Sequence, residues 1–375
     1  MLLNAYATHR SPPPLNFPHQ LRSSAVRAEL GEHLDGFCGY IFSRGKEQMD
    51  QRKFHLIQHV QRVQHQFAFE VEEDALDAVA AWAEEANAIL FTTDGSILTP
   101  NGLLLLGPNG ESDEEAREPF PEDASERYGR THEQLWRLGI RVPPSLPPVV
   151  GECEVLLREP REVHQRCLGL AAVAIRAETA LSSPPLVQAA ELFELVPGSE
   201  QALTPAERAF VDTPEPSQHD ATQFLWRYEG LYVLLWALGC FEELRFPEGI
   251  CDVPGCVRAL KGSKAPQQLR PTAQLLDALD LHYRLHWATT EARVRGTELD
   301  ADLDPGVVFE RHYALNGSPA FRTPSGTTST RPPEAHVGTP RQAHSLLDLE
   351  HDPALLGVRV AHCWPVYRRP RRWLR

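Results

Sequence analysis

The stretch from Ser217 to Phe241 places the strongest constraint on the fold. If it is helical, large apolar side chains cover most of its circumference: Phe224, Trp226, Tyr228, Leu231, Tyr232, Leu234, Leu235 and Trp236. A helix that is apolar on nearly all sides is stable only when other elements surround it. The pattern therefore predicts a buried central helix over 217–241, enclosed by further helices.

Helix-start and helix-stop signals predict those neighbours. Pro160–Thr179 is amphipathic and has proline at its first position, and Thr204 with Glu207 forms a capping box around Pro205. Thr272–Arg295 reads as a long helix that a following glycine ends, and Asp304-Pro305 begins a last helix through Asn316. Residues 150–316 are thus predicted to form a mainly α-helical domain.

The first 106 residues have a different pattern. Apolar and polar residues alternate over 67–71, which is typical of a strand, and helical spacing precedes and follows this segment, over 53–63 and 74–87. Asp94-Gly95 and Pro100-Asn101-Gly102 are turn signals that separate three short apolar runs, 88–91, 96–98 and 103–106. We predict a small α/β module of split β-α-β type.

The segment between these regions predicts a linker. Residues 107–126 carry eight acidic side chains and no apolar period, a short helix is expected over 131–138, and four prolines follow between 143 and 148. The predicted fold class is α+β. A small N-terminal α/β module (1–106) is joined by an acidic, Pro-rich linker (107–149) to the helical domain (150–316).

Composition narrows the function classes. The net charge of −14 argues against nucleic acid or an anionic membrane as partner. No signal-peptide or membrane-length apolar run occurs, which predicts a cytoplasmic protein. The seven cysteines are scattered without a Cys-x-x-Cys pair, and nucleotide-binding and hydrolase motifs are absent, so no cofactor is predicted. A protein partner or a small anionic ligand remains open.

Charged residues inside the apolar central helix are the first candidates for a site. Arg227 and Glu229 are two residues apart and therefore point to opposite sides, so they do not pair with each other. A buried charge without a partner is costly. We expect both side chains to be buried and bonded to the helices that begin near Thr272 and Gly306.

Other polar residues on those two helices leave three interpretations open. In the first, Arg227, Glu229, Arg293 and Asn316 form a polar cluster, which is either a structural network or a site that binds a small ligand or an anion. The second is acid–base catalysis by His286, Glu310 and His312. The third is a metal site, for which His282, His286 and His312 are weak candidates because a His-x-x-x-His pair on a helix has low specificity. No metal is predicted on this evidence.

Several of these residues carry a family resemblance. Trp226-Arg227-Tyr228-Glu229, Leu235-Trp236-Ala237-Leu238-Gly239, Cys251-Asp252, His286-Trp287 and the run Glu310-Arg311-His312-Tyr313-Ala314-Leu315-Asn316 resemble the bacterial family called domain of unknown function 4272. The resemblance covers about residues 150–316, and the front half resembles an N-terminal extension of some members. The family implies no established activity.

The sequence departs from this resemblance after Asn316. The resemblance implies a continuation Asn-Trp-Leu and a closing Trp-Asp-Asp-Val-Asp-Thr segment. A one-nucleotide deletion would convert such codons into the residues found at 317–319 and at 324–332. Residues 317–375 hold nine arginines, no lysine and four acidic residues, which is typical of GC-rich DNA read out of frame. We predict an out-of-frame, disordered tail; a basic binding tail is the alternative.

Two functions follow as hypotheses. The first is a non-enzymatic binding or regulatory module with a buried polar network. The alternative is a hydrolase or transferase that uses the His, Glu and Arg cluster. Convergence of these residues on one open cleft would favour the enzyme, whereas burial and mutual saturation would favour the structural network.

Overall fold

The computed structural model describes residues 1–46, 48–182, 187–262, 268–299 and 301–316. The chain divides into two compact units. The first contains Met1–Leu156 and Pro271–Pro305, and the second contains Leu157–Arg270 and, among the described residues, 306–316. The helix Thr272–Arg295, assigned from sequence to the helical domain, thus belongs to the first unit. The predicted out-of-frame tail, 317–375, lies outside the described residues.

The first unit contains a six-stranded sheet in the order β2-β3-β1-β4-β5-β6. Both β3 and β4 are antiparallel to β1, which lies between them, so β3 and β4 are parallel to each other. A helix, α3 (Leu76–Glu85), connects β3 to β4, which is the split β-α-β arrangement that the sequence predicted. The strands are β1 (Leu2–Ala7), β2 (Gln20–Val26), β3 (His65–Glu70), β4 (Ala88–Thr92), β5 (Ile97–Leu98) and β6 (Leu104–Leu106).

Alternation along the strands builds two cores, one on each face of the sheet. On one face Leu3, Ala5 and Phe69 pack with α3 (Leu76–Glu85). On the other face Tyr6 and Ile89 pack with α1 (Gly31–Ser43) and α2 (Gln51–Arg62). Period-two patterning sends successive side chains to opposite faces, so a single sheet supports both cores. The strands β1 and β2 had no counterpart in the sequence prediction.

The helix expected over 131–138 begins earlier. The structure has α4 over Glu122–Arg137, so its first turns lie in the segment assigned to a solvated linker. Glu122 and Asp123 stand in its first turn, where negative charge complements the helix dipole. Arg127 is buried; it donates to the Asp123 carboxylate at 2.8 Å and to the Val150 carbonyl at 3.3 Å. Acidic residues alone were therefore a poor sign of disorder here.

The other long helix of the first unit, α11 (Thr272–Arg295), contacts α4. Arg127 and Arg130 both donate to Asp277 of α11, at 3.2 and 2.9 Å. The helix ends at Gly296, whose φ of 68° is the left-handed conformation that glycine adopts without strain. Both ends of α11 agree with the sequence prediction.

The helices of the second unit surround an apolar core that includes Val173, Leu231 and Leu235. Cys167, Cys251 and Cys256 are buried in the same core. The helices are α5 (Pro160–Ala180), α6 (Ala189–Leu195), α7 (Pro205–Asp212), α8 (Gln218–Leu225), α9 (Arg227–Ala237), α10 (Val253–Gly262) and α12 (Pro305–Asn316).

The central helix predicted over 217–241 is two helices. It is interrupted at Trp226, between α8 and α9, and the Glu229 amide donates to the Trp226 carbonyl in a tight first turn. It ends at Ala237 rather than at 241, because Gly239 has a φ of 76° and the Cys240 amide returns to the Leu235 carbonyl. A continuous apolar pattern does not reveal such a break, because the spacing on both sides of it is helical. The predicted burial is confirmed for α9 but is wrong for α8, where Ala221 is buried and the other residues are exposed or half-buried.

The capping box at the start of α7 is confirmed. The Glu207 amide donates to the Thr204 hydroxyl at 3.3 Å, and the Glu207 carboxylate accepts from the Thr204 amide at 3.0 Å. We expect Thr204→Ala to lower the free energy of unfolding by about 1 kcal/mol, because one amide of the first turn loses its partner. Urea unfolding measures this loss. Thr204→Ser keeps the hydroxyl and should remain near wild type; an equal loss in both variants would contradict the capping role.

The tail hypothesis makes a separate prediction about the gene. We expect that restoring one nucleotide after the Asn316 codon will raise the melting temperature and reduce aggregation, because the restored segment would belong to the fold. Thermal unfolding and sedimentation of the two chains compare them directly. Equal melting temperatures and equal solubility would contradict the hypothesis.

Among the described residues, no helix combines the length and the apolar character that crossing a membrane requires.

Candidate functional site

A buried carboxylate on α9 is the centre of the charged cluster in the second unit. Glu229 is 2% exposed. Its Oε2 accepts from Arg311 Nε of α12 at 2.8 Å, and its Oε1 accepts from the Cys251 amide at 2.6 Å. Glu229 therefore ties three parts of this unit together: α9, α12 and the loop before α10.

The partner of Glu229 is equally enclosed. Arg311 is 1% exposed, and its Nη1 donates to the Arg245 carbonyl at 2.6 Å. Its guanidinium also lies over the Tyr232 ring, 5.1 Å from the centroid, where a cation is stabilised by the π-system. The charge of Arg311 is thus satisfied on several sides.

Arg227 lies between two carboxylates. Its Nη1 donates to Glu310 Oε2 of α12 at 3.1 Å, and its Nε is 3.9 Å from Glu207 Oε1 of α7. Glu207 in turn accepts both Nη atoms of Arg166 of α5, at 2.7 and 2.5 Å. The result is an alternating row of charges, Arg166, Glu207, Arg227 and Glu310.

The surroundings shift the pKa values of the two carboxyl groups of this row in opposite directions. Burial raises the pKa of Glu310 to about 7, with Arg227 opposing the shift and the nearby Glu229 charge adding to it. Burial would also raise the pKa of Glu207, but the hydrogen bonds and charge of Arg166 hold that pKa below its usual value. The environment therefore favours protonation of Glu310 at a higher pH than protonation of Glu207.

Sequence reasoning expected Arg227 and Glu229 to be buried and to find partners on other helices. Glu229 is buried, whereas the Arg227 side chain is 18% exposed. Both residues bond to α12, through Glu310 and Arg311. The other expected source of partners, the helix beginning at Thr272, belongs to the first unit.

The remaining candidates are divided between the units. On α11 of the first unit, His282 is buried with Nδ1 2.8 Å from the Ala278 carbonyl, His286 is half-buried and Arg293 is exposed. On α12 of the second unit, His312 is buried, and so is Asn316, whose Oδ1 has no hydrogen-bond partner within the described part of the chain.

The metal hypothesis finds no support in this arrangement. Across the described residues, no group of three or more His, Cys, Asp and Glu side chains is placed to hold a metal ion. His282 and His286 lie on α11 of the first unit, whereas His312 lies on α12 of the second.

Two members of the charged row, and the arginine that pairs with Glu229, were absent from the predicted site. Arg166 carried no signal beyond its place on an amphipathic helix, and Glu207 was recognised for its cap alone. Arg311 stands between two predicted residues in the Glu-Arg-His run, which was the available signal. A buried acid on one helix and adjacent opposite charges on another indicate pairing, but they do not indicate which residues pair.

The first unit has its own buried ion pair on α11. Arg284 and Asp280 have side chains that are 0% exposed, and Arg284 Nη2 donates to the Asp280 carboxylate at 2.8 Å. The Arg284 guanidinium also lies 4.4 Å from the Tyr128 ring centroid of α4 and donates to the Pro147 carbonyl. This cluster joins α11, α4 and the Pro-rich segment, and sequence analysis did not identify it.

Searches of curated proteins and of solved structures found no match to this chain. The family described as Domain of unknown function (DUF4272) matches residues 127–316, about half of the chain. The resemblance suggested a start near residue 150, but the match begins earlier, inside α4. It thus includes the buried Arg127. The chain therefore belongs to the DUF4272 family.

Proposed function

We propose that this chain is a non-enzymatic binding or regulatory module, and that the charged row of its second unit is a structural network. The observation that carries the proposal is that each buried or half-buried arginine of the network has a carboxylate partner. Each arginine of the network bonds to a carboxylate: Arg166 to Glu207, Arg227 to Glu310 and Arg311 to Glu229. Paired groups of this kind hold helices in place and leave little charge for a substrate.

The pairing of each of these arginines with a carboxylate argues against an anionic ligand at the same positions. An anion would have to displace a carboxylate already within 3.1 Å of each guanidinium and then bury the displaced charge. We therefore favour a protein partner over a small anion. The acidic chain, with its net charge of −14, favours neither nucleic acid nor an anionic membrane, and we propose that it acts in the cytoplasm.

The stability of variants tests this proposal. Catalytic and ligand-binding groups are often destabilising, so their replacement raises stability, whereas replacement within a structural network lowers it. We expect Arg166→Met to lower the free energy of unfolding, because Glu207 then loses its bidentate partner inside the fold. The control is Arg208→Met, which removes a half-buried arginine of α7 whose carboxylate partners, Glu200 and Asp212, are themselves exposed. A rise in stability for Arg166→Met would contradict the structural role.

Inorganic phosphate tests the anion alternative. Phosphate should leave the melting temperature unchanged beyond the effect of chloride at equal ionic strength. A saturable rise that Arg227→Gln abolishes would overturn our preference for a protein partner.

A second candidate function is supported by Glu310. A carboxyl with a pKa raised to about 7 is suited to general acid–base catalysis at neutral pH. On this alternative Glu310 would transfer the proton in a hydrolase or transferase, with His312 or His286 as further candidates. A screen of ester and phosphate-ester substrates tests it. An activity that Glu310→Gln lowers by about 10²-fold or more, without unfolding the chain, would replace the non-enzymatic proposal.

A further inference from the structure

The three buried carboxylates of the charged network, Glu207, Glu229 and Glu310, are bonded unequally. Glu207 accepts from both Nη atoms of Arg166 and from the Thr204 amide. Glu229 accepts from Arg311 and from the Cys251 amide. Glu310 accepts one hydrogen bond within the described residues, from Arg227 Nη1 at 3.1 Å. Because hydrogen bonds and opposite charges stabilise the ionised form, Glu310 is the member least committed to being an anion.

Arg227, the partner of Glu310, lies close to a second carboxylate as well. Arg227 donates to Glu310, yet its Nε is buried without a hydrogen-bond partner among the described residues, 3.9 Å from Glu207 Oε1. The two groups are already in ion-pair contact, and a hydrogen bond between them would require this Nε to approach Glu207 by roughly 1 Å. Arg227 thus has two carboxylates in reach, one bonded and one close to bonding.

We infer that Glu310 and Arg227 form a proton-dependent ion-pair exchange between α12, α9 and α7. When the Glu310 carboxylate takes up a proton, Arg227 moves its ion pair to Glu207, which stays ionised. The Glu229–Arg311 pair still holds α9 to α12, so the helices remain packed while one of their two bridges opens. The inference rests on the proposed structural role of the network and gives that role a form of regulation.

Burial and the charged groups that face Glu310 determine the direction in which its pKa is shifted. From α9, Arg227 favours its ionised form and Glu229 opposes it, and burial opposes it most strongly. Arg311, the neighbour of Glu310 on α12, is neutralised by Glu229, and Glu207 of α7 faces the far side of Arg227. The outcome is a pKa raised from 4.5 to about 7, which is inside the range that cells experience.

Carboxyl ¹³C NMR of the full chain tests the exchange, with Glu310→Gln used to assign the resonance. We expect the Glu310 carboxyl to titrate with a midpoint about two pH units or more above that of an exposed glutamate. Arg227→Gln should raise the midpoint further, and Glu229→Gln should lower it. Glu243→Gln, at an exposed glutamate of the same unit, should leave it unchanged. A Glu310 midpoint near 4.5 in the wild type would overturn the inference.

Stability gives an independent readout. The folded chain retains the Glu310 proton between pH 4.5 and 7, whereas the unfolded chain has released it, so stability is lost as pH rises through this window. The unfolding constant of the wild type, relative to Glu310→Gln, should increase about tenfold per pH unit between pH 5 and 7. A constant ratio across this range would overturn the exchange. It would leave the structural role intact, since that role is tested by Arg166→Met.

Discussion

Glu229→Ala is expected to lower the free energy of unfolding by about 3–5 kcal/mol, because it removes one side of a buried ion pair. Arg311 would keep its charge at a position that is 1% exposed, and the Cys251 amide would lose its acceptor. Leaving a buried charge without its partner costs more than the pair contributes, since the desolvation penalty remains in full. Urea or thermal unfolding measures the loss.

Two variants decide how this loss arises. Glu243→Ala removes a glutamate that is 78% exposed and 4.0 Å from Arg245, and we expect a change below about 0.5 kcal/mol. Glu229→Gln keeps an acceptor for the Cys251 amide and removes the charge alone, so it should lie between wild type and Glu229→Ala. A loss under about 0.5 kcal/mol for Glu229→Ala would show that Arg311 is not held by this pair.

Asp280→Ala is expected to cost a similar amount, about 3–5 kcal/mol, in the first unit. Asp280 accepts from both Nε and Nη2 of Arg284, at 3.0 and 2.8 Å, and both side chains are 0% exposed. The variant leaves an arginine enclosed by the Tyr128 ring and the Pro147 carbonyl, with no carboxylate at its Nε. Calorimetry of the full chain measures the loss.

A double variant that removes both Asp280 and Arg284 is the matched control for Asp280→Ala. Replacing Asp280 by Leu together with Arg284 by Met removes both charges and keeps apolar volume, and such replacements are often neutral or stabilising. We therefore expect the double variant to be more stable than Asp280→Ala alone. If both variants lose equal stability, packing of the side chains rather than charge would explain the cost.

Local signals in the sequence were sufficient to predict several helix ends and one strand. The Thr204–Glu207 box and the proline after Thr204 begin α7, and Gly296 ends α11, as predicted. These signals work because a helix end needs partners for its backbone groups within a few residues of the chain. The alternation over 67–71 was sufficient to predict β3, which the structure has over His65–Glu70, because period two is specific to strands when the apolar residues are regularly spaced.

The same local reasoning failed where two structures share one pattern. The interruption at Trp226 is invisible in an apolar run, since α8 and α9 are each consistent with helical spacing. The start of α4 was missed because acidic residues are typical both of solvated chain and of a helix's first turn. Burial of Arg127 distinguishes the two, and burial depends on α11, almost 150 residues later.

The sequence by itself determined the division into a sheet module and helical segments, most helix ends, and the need of Arg227 and Glu229 for partners. Those properties follow from the spacing of apolar residues and from the cost of burying charge, which act locally. Only the tertiary structure decided that Glu229 bonds to Arg311, that Arg227 lies between Glu207 and Glu310, and that α11 belongs to the first unit. Ion pairing is set by a few ångströms between residues up to 150 positions apart, and no periodicity in the chain encodes that distance.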